Sequence, residues 1–410
     1  MPDTRHTPEP NGTRSRTARH GSGALRIRMD DLLLPEESER PHRPATGTFD
    51  RPCGVHPVMM TTTHEIALLR LVAQRIAGPG MATSTDAVGW LTALQAQDLN
   101  GALTSVALRT TSDTRQSVEA AFDAGQIVRS WPMRGTLHLV VAEDLPWMLA
   151  LMTPRVLTGA AARRAALGLD SPTLERARQL AVGALEGGRQ LSRGDLLAVW
   201  DAAGLAVTTP RGYNMLWHLA QTGTLCFGPT CDGEQMVVLV NEWIPDPRHP
   251  ERDEALGELA LRFFRSHGPA TVKDFIRWTK LVAADARTGL ALARPGLVRV
   301  EVDGTEYLMD PATPDLLDAC RDQARGVFLL PGFDEFVLGY QDRGAVLPAQ
   351  FATHIVGNGM FRPTVVADGQ IVGAWKHTGR GAKRTIAATP FTSFTDEVAQ
   401  AIPRVYADLP

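Results

Sequence analysis

The chain of 410 residues lacks most of the features that would sort it quickly into a functional class. It has four cysteines, Cys53, Cys226, Cys231 and Cys320. Only Cys226 and Cys231 stand close together, with Gly228 and Pro229 but no histidine between them. That spacing does not fit a zinc site, so no metal is expected and the thiols read as small buried or hairpin residues. Few, scattered thiols without a signal-peptide pattern point to a reducing cytoplasm. No apolar run approaches the ~18 residues needed to cross a bilayer, so no membrane span is expected. Positive charge is not in excess. The formal net charge is −3 and the pI is about 6.4, so any DNA contact must come from a local basic face. Also missing are a Gly-rich phosphate loop, a dinucleotide fingerprint, a His-Glu-x-x-His helix (His64-Glu65 lack the second histidine) and a Gly-x-Ser-x-Gly elbow. ATP-dependent and zinc-hydrolase readings therefore lose support, and no cofactor is expected.

What is present is a globular composition, 44% hydrophobic and 21% charged, in a chain long enough for two or three domains. Residues 1–58 are rich in Pro, Arg, Ser and Thr and carry too little apolar surface to offset chain entropy. They read as a disordered extension, with Met59 and Met60 as candidate start sites ahead of the first periodic helix. From Thr63 onward helices alternate with hairpins. The spacing predicts helices over 63–77, 84–94, 102–109 and 114–124, then two β-favouring runs, 127–133 and 136–141, joined by Arg134-Gly135. Helices followed by a hairpin are the pattern of a winged helix. The order recurs in 143–244, after two linking helices, and in 251–310, where Asp303-Gly304 marks the turn. The expected fold is mainly α with β wings: winged helices over 63–142, 143–244 and 251–310, then a small C-terminal β-barrel or sheet over 313–410. In that last region Val337–Tyr340 reads as a strand.

The arrangement around which the chain turns is Leu94-Gln95-Ala96-Gln97-Asp98 at the end of a predicted helix. Were the helix to continue, the two amides would point about 200° apart around its axis. In an extended segment, residues i and i+2 share a face. Either the helix stops near Leu94 and Gln95 and Gln97 reach toward one point, or they are two helix-surface amides.

Four stretches together carry a resemblance. They are Gln95-Ala96-Gln97-Asp98; Trp131-Pro132-Met133-Arg134-Gly135-Thr136-Leu137-His138; Leu330-Pro331-Gly332-Phe333-Asp334 with Gly339-Tyr340-Gln341-Asp342-Arg343; and Gly357-Asn358-Gly359-Met360-Phe361-Arg362-Pro363-Thr364. In this order they resemble the AlkZ-like family, bacterial winged-helix DNA glycosylases that remove bulky alkylated purines, some protecting antibiotic producers from their own DNA-alkylating products. The resemblance spans Thr63 to the C-terminus. It implies that Gln95 and Gln97 are the catalytic pair. A related branch has Asp at the second position, so Gln97 favours the self-resistance type.

The implied chemistry suits neutral catalysts. An N7-alkylated guanine is already cationic, so its glycosidic bond breaks without base protonation. Two amide oxygens can then position a water at the anomeric carbon. Asp98 is either an electrostatic helper or the cap of the next helix, with the cap favoured. Arg134 is either a phosphate contact on the wing or a solvated hairpin residue. His138 either lines the pocket or is a hydrogen-bonded sheet residue, and Trp131 reads as wing or core packing rather than a base-stacking platform. Asp334, Asp342 and Arg343 read as a buried ion pair. Candidate contacts to double-stranded DNA are Arg163, Arg164, Arg211, Lys376, Arg380, Lys383 and Arg384, the last four in a Gly-containing basic loop. The expected protein is a monomeric glycosylase acting on bulky cationic N7-alkylguanine-type adducts in double-stranded DNA. Its rival is a non-enzymatic winged-helix regulator or drug-binding resistance protein.

Overall fold

The computed structural model describes residues 59–60, 62–112, 114–208, 210–357, 359–379 and 383–410. The expected extension over 1–58 lies outside them. After a two-residue strand, β1 (Met59–Met60), the first round comprises α1 (Thr63–Ala73), α2 (Ser84–Leu91), β2 (Leu94–Gln95), α3 (Leu99–Ala107), α4 (Arg115–Asp123) and the hairpin β3 (Ile127–Met133) with β4 (Thr136–Val141). Local signals account for the starts: Thr62 and Thr114 accept from the third residue on, and Thr83 and Asp86 form a reciprocal capping box. The second round is α5 (Leu145–Gly159), α6 (Ala161–Ala166), α7 (Ser171–Leu185), α8 (Arg193–Ala202), α9 (Arg211–Gln221) and the hairpin β5 (Leu225–Cys231) with β6 (Glu234–Leu239). The third is α10 (Val240–Trp243), α11 (Arg252–His267), α12 (Val272–Thr279), α13 (Ala283–Ala293) and β7 (Val298–Val302) with β8 (Thr305–Met309).

The hairpins do not stand apart as three separate wings. The first two join into one antiparallel sheet of order β2-β4-β3-β5-β6, linked where Arg129 faces Phe227. The third pairs in parallel with β1 through Met59↔Val300. The fusion has a physical reason. Strand β3 is buried at six of its seven positions, so neither of its faces is solvated and its free edge is closed by β5.

The remaining elements are α14 (Thr313–Ala324), β9 (Val327–Leu330), α15 (Glu335–Leu338), α16 (Ala352–Ile355), β10 (Val356–Gly357), β11 (Met360–Phe361), β12 (Thr364–Ala367), β13 (Gln370–Thr378), β14 (Thr385–Pro390) and α17 (Asp396–Ala407). Of the two C-terminal alternatives, barrel or sheet, the structure has an open four-stranded sheet, β14-β13-β12-β9. The chain is therefore a mixed helix-and-sheet protein rather than a mainly α one. The strand expected over Val337–Tyr340 does not form: Val337 and Leu338 end the helical turn α15. Asp334 turns the chain there, accepting from the Phe336 N–H at 2.9 Å.

Two packing features bear on function. Helix α1 buries Ile66, Leu68, Leu69 and Val72 in the same cluster as Leu330, Phe336 and Val346, tying the first round to the C-terminal region. A bidentate ion pair crosses the same divide: Arg109, after α3, meets Asp334 at 2.9 Å, both almost fully buried. Removing either partner would strand a buried charge, at a cost of ~3–5 kcal/mol. The ion pair expected among Asp334, Asp342 and Arg343 does not form. Arg343 donates to the Val337 carbonyl at 2.6 Å, and Asp342 accepts from the Gly344 N–H. Cys226, Cys231 and Cys320 are free thiols, and no helix among the described residues is long and apolar enough to cross a membrane.

Candidate active site around Gln95 and Gln97

Helix α2 ends at Leu91, three residues before the position expected. The chain reverses through Thr92, at φ 68° and ψ −50°, where the Ala93 N–H donates back to the Leu91 carbonyl at 2.8 Å. This is a three-residue γ-turn, and a β-branched residue at positive φ is strained by ~1–3 kcal/mol. The turn delivers the next residues as an extended edge strand. Leu94 and Gln95 pair with Leu139 and His138, and the Ala96 N–H donates to Leu137 at 2.7 Å. Gln95 lies in β2 and Gln97 just past its end, where its side-chain oxygen takes the Leu137 N–H, so neither amide sits on helix α2. The alternative of two helix-surface amides is ruled out.

The main chain of the motif is held from several sides. Arg129 donates to the Ala96 carbonyl at 2.9 Å, and burial lowers the Arg129 pKa to about 10, where it stays cationic. The side-chain amides are also oriented. Gln97 Oε1 accepts from the Leu137 N–H at 2.9 Å. Gln95 Oε1 accepts from Arg134 at 3.4 Å, and Gln95 Nε2 is buried without a protein partner. Both partners are donors only, so each amide is fixed with its oxygen toward them. Each carbonyl keeps a second lone pair, and each NH₂ group remains free to donate.

Arg134 is not a solvated hairpin residue. It turns inward, donating to the Trp278 carbonyl at 3.1 Å and to His138 Nε2 at 2.8 Å as well as to Gln95. Since arginine only donates, His138 Nε2 must accept, and Nδ1–H donates to the Thr136 carbonyl at 2.8 Å. His138 is thus the neutral, fully buried, hydrogen-bonded sheet histidine of one reading, yet it adjoins the glutamine. Burial, reinforced by Arg134, lowers its pKa to about 3. The Arg134-Gly135 turn is braced by the second round, since Trp217 Nε1 donates to the Gly135 carbonyl at 3.1 Å. Trp131 is a core residue, packed edge-on to Tyr213 and tilted against Phe227.

Asp98 occupies the N-cap position of α3 but makes no capping hydrogen bond, so the favoured cap is not realised. Its carboxylate is exposed and lies over Gly101. The end of the C-terminal sheet approaches it. His377 on β13 has its pKa lowered by burial and by Arg384 and Arg115, with Asp98 opposing. Lys376, Lys383 and Arg384 are exposed on this end of the sheet, and Arg380 lies outside the described residues. The other basic candidates separate. Arg163 is exposed on α6, whereas Arg164 and Arg211 are half-buried and donate to the carbonyls of Leu157 and Leu167. Those two hold the turns around α6 rather than a free basic face. A cavity of ~880 Å³ lined by Arg164, Asp170 and His218 lies there, and none of its lining residues belongs to the glutamine motif.

Reasoning from the sequence missed Glu335. Its carboxylate is 1% exposed and accepts from the Gln95 N–H at 3.2 Å and Trp278 Nε1 at 2.9 Å, while His267 Nε2–H donates at 3.4 Å. Burial pushes its pKa up, but His267, Arg134 and Trp278 prevail and hold it at about 2. The only signal in the sequence was an acidic residue within an otherwise apolar run, next to Asp334.

Uncharged amides held in place beside an oriented arginine and a neutral histidine suit placing a reactant better than delivering a proton. The class follows from comparison with known proteins. Residues 88–409 match the family model described as DNA glycosylase AlkZ-like, and the chain belongs to that family. It is therefore a DNA glycosylase, a DNA-repair hydrolase of N-glycosyl bonds whose substrate is DNA, which displaces the regulator reading. It is similar to an interstrand DNA cross-link repair glycosylase of Streptomyces sahachiroi, 27% identical over 334 residues that cover 78% of this chain and 88% of that protein. The solved structure of the Streptomyces sahachiroi DNA glycosylase AlkZ matches with a TM-score of 0.71 and 25% identity, over 86% of this chain and 96% of that one.

Proposed function

We propose that Gln95 and Gln97 are the catalytic pair and that the substrate is a bulky, cationic N7-alkylguanine-type adduct in double-stranded DNA. The observation that carries this reading is that both amide oxygens are oriented by donor-only partners on one hairpin, Gln95 by Arg134 and Gln97 by the Leu137 N–H. The free lone pairs on their oxygens accept the O–H bonds of one water, leaving its own lone pair directed at the anomeric carbon. Between pH 5 and 8 His138 is neutral and Glu335 ionised, so neither serves as a general acid. A base that leaves without protonation suits such a site. The exposed Asp98 is the nearby anion that would favour an oxocarbenium-like sugar.

The rest of the reading follows. Three tandem winged helices present the motif. The similarity to the cross-link repair glycosylase supports unhooking of interstrand crosslinks, and self-resistance to a DNA-alkylating natural product is the biological role. The protein acts as a cytoplasmic monomer, with Arg163, Lys376, Arg380, Lys383 and Arg384 as phosphate contacts. The test is base release from duplex DNA carrying a bulky N7-alkylguanine, against a duplex with a neutral bulky adduct. Wild type should release only the cationic base, and Gln95→Ala and Gln97→Ala should each lose ~100-fold or more. Equal release by all three proteins would move catalysis elsewhere, and release of the neutral adduct would overturn the substrate class.

A further inference from the structure

Strand β2 lies at the edge of its sheet, paired with β4 on one side only. Ala96 directs its N–H to Leu137 on β4, so the Gln95 N–H faces the unpaired edge. An edge N–H buried in protein needs an acceptor, and Glu335 Oε1 supplies it at 3.2 Å. A neutral acceptor would satisfy that N–H at far lower desolvation cost than a carboxylate. Attachment of the C-terminal segment to the first round does not require it either, because the preceding residue, Asp334, already does this through Arg109 and Ser105. Besides the Gln95 N–H, the carboxylate accepts from His267 at 3.4 Å and from Trp278 Nε1 at 2.9 Å, and Trp278 in turn holds Arg134, the half-buried guanidinium that orients the Gln95 amide. Glu335 favours the charged form of Arg134 against burial, and Trp278 links the two by giving its Nε1–H to Glu335 and its carbonyl to Arg134.

We propose that Glu335 is the positioning residue of the catalytic glutamine, tying the Gln95 main chain at 3.2 Å and, through Trp278, steadying the Arg134 guanidinium that fixes the Gln95 amide. This rests on the reading of Gln95 as catalytic. Glu335 touches no substrate. Its effect passes through the placement of Gln95, so it acts on the chemical step and not on DNA affinity.

The test is single-turnover base release from a duplex carrying a bulky N7-alkylguanine, with the Kd for that duplex and the thermal midpoint measured alongside. The proteins are wild type, Glu335→Gln, Glu335→Asp, Gln95→Ala and the double variant Gln95→Ala/Glu335→Gln. Glu335→Gln is isosteric but puts an NH₂ group against donors. It should slow release ~10-fold or more with Kd within ~2-fold of wild type, and Glu335→Asp, which keeps the charge, should fall between it and wild type. The double variant should be no slower than Gln95→Ala within ~2-fold, because the two residues act through one placement. Wild-type release by Glu335→Gln, or a double variant whose loss is the product of the single losses, would overturn the proposal. Should Glu335→Gln fail to fold, Glu335→Asp decides alone: release slowed ~3-fold or more at unchanged Kd supports it, and release at the wild-type rate overturns it. An active Gln95→Ala would sink the underlying reading instead, whereas an inactive Gln95→Ala beside a fully active Glu335→Gln would sink this inference only.

Discussion

The first and third hairpins use the same turn for opposite purposes. Arg134-Gly135 and Asp303-Gly304 both take positive φ at both central residues, 57° and 68° in one, 49° and 75° in the other. In the third hairpin the sequence matches the geometry. Asp tolerates the left-handed region, a Cβ on Gly304 would meet nothing within 4 Å, and β7 is exposed at alternate positions. In the first hairpin an arginine sits where its backbone costs ~1–2 kcal/mol. A Cβ on Gly135 would come within 3.3 Å of Val156 and 3.4 Å of Trp217, and β3 is buried almost throughout. Local preference is obeyed where the hairpin only closes a sheet. It is overridden where the turn aims a guanidinium at Gln95.

The most severe way to break this contrast is to remove the guanidinium. Arg134→Met leaves Gln95 Oε1, His138 Nε2 and the Trp278 carbonyl without their donor. Base release should fall ~100-fold and stability by ~2–4 kcal/mol in denaturant titration, while Asp303→Ala should change stability by less than ~0.5 kcal/mol. An active Arg134→Met would remove the functional side of the comparison. The glycine pair is milder. Gly135→Ala and Gly304→Ala should each lose ~1 kcal/mol from the positive φ, but only Gly135→Ala should also slow release, by ~10-fold, by displacing the turn from Trp217.

Acid should affect the first hairpin through His138. The His138 pKa falls from 6.5 unfolded to about 3 folded, so its contribution is fully present above about pH 6.5 and is lost as pH falls toward 3. Glu335 adds a loss from 4.5 toward 2. Stability should be ~2 kcal/mol lower at pH 5 than at pH 7, and a folded His138→Asn variant should flatten that slope. The smallest effects belong to the surface. Lys376→Ala or Arg384→Ala should weaken DNA binding ~2- to 5-fold and reduce the salt slope by ~1, whereas Arg211→Ala should lower stability and leave the salt slope unchanged.

Much of the element order was legible because caps and turns are local chemistry. Thr83 with Asp86, Ser192 with Asp195 and Thr271 with Asp274 are contacts between residues three apart, and the Asp303-Gly304 turn falls between β7 and β8 as expected. The end of α2 was not legible. Leu94 continues the helical apolar pattern, and only packing of the strand against β4 offsets the strained Thr92 turn. Val337–Tyr340 misled for a related reason. A short apolar run has no diagnostic period, and the Asp334 side chain decided for helix. Arg164 and Arg211 looked like a basic face because sequence does not reveal which carbonyls a guanidinium can reach.

By itself, the sequence determined the rhythm of helices and hairpins, the absence of metal, nucleotide and elbow motifs, and the glutamine pair whose spacing is meaningful only in an extended chain. These depend on interactions within a few residues, or on the residues present. Tertiary structure alone decided that the chain leaves the helix before Gln95, that Arg134 turns inward, that His138 is neutral, and that Glu335, 240 residues away in sequence, lies against the Gln95 main chain. Each of these depends on which distant groups exclude water from one another, and that free energy exists only once the chain has closed around them.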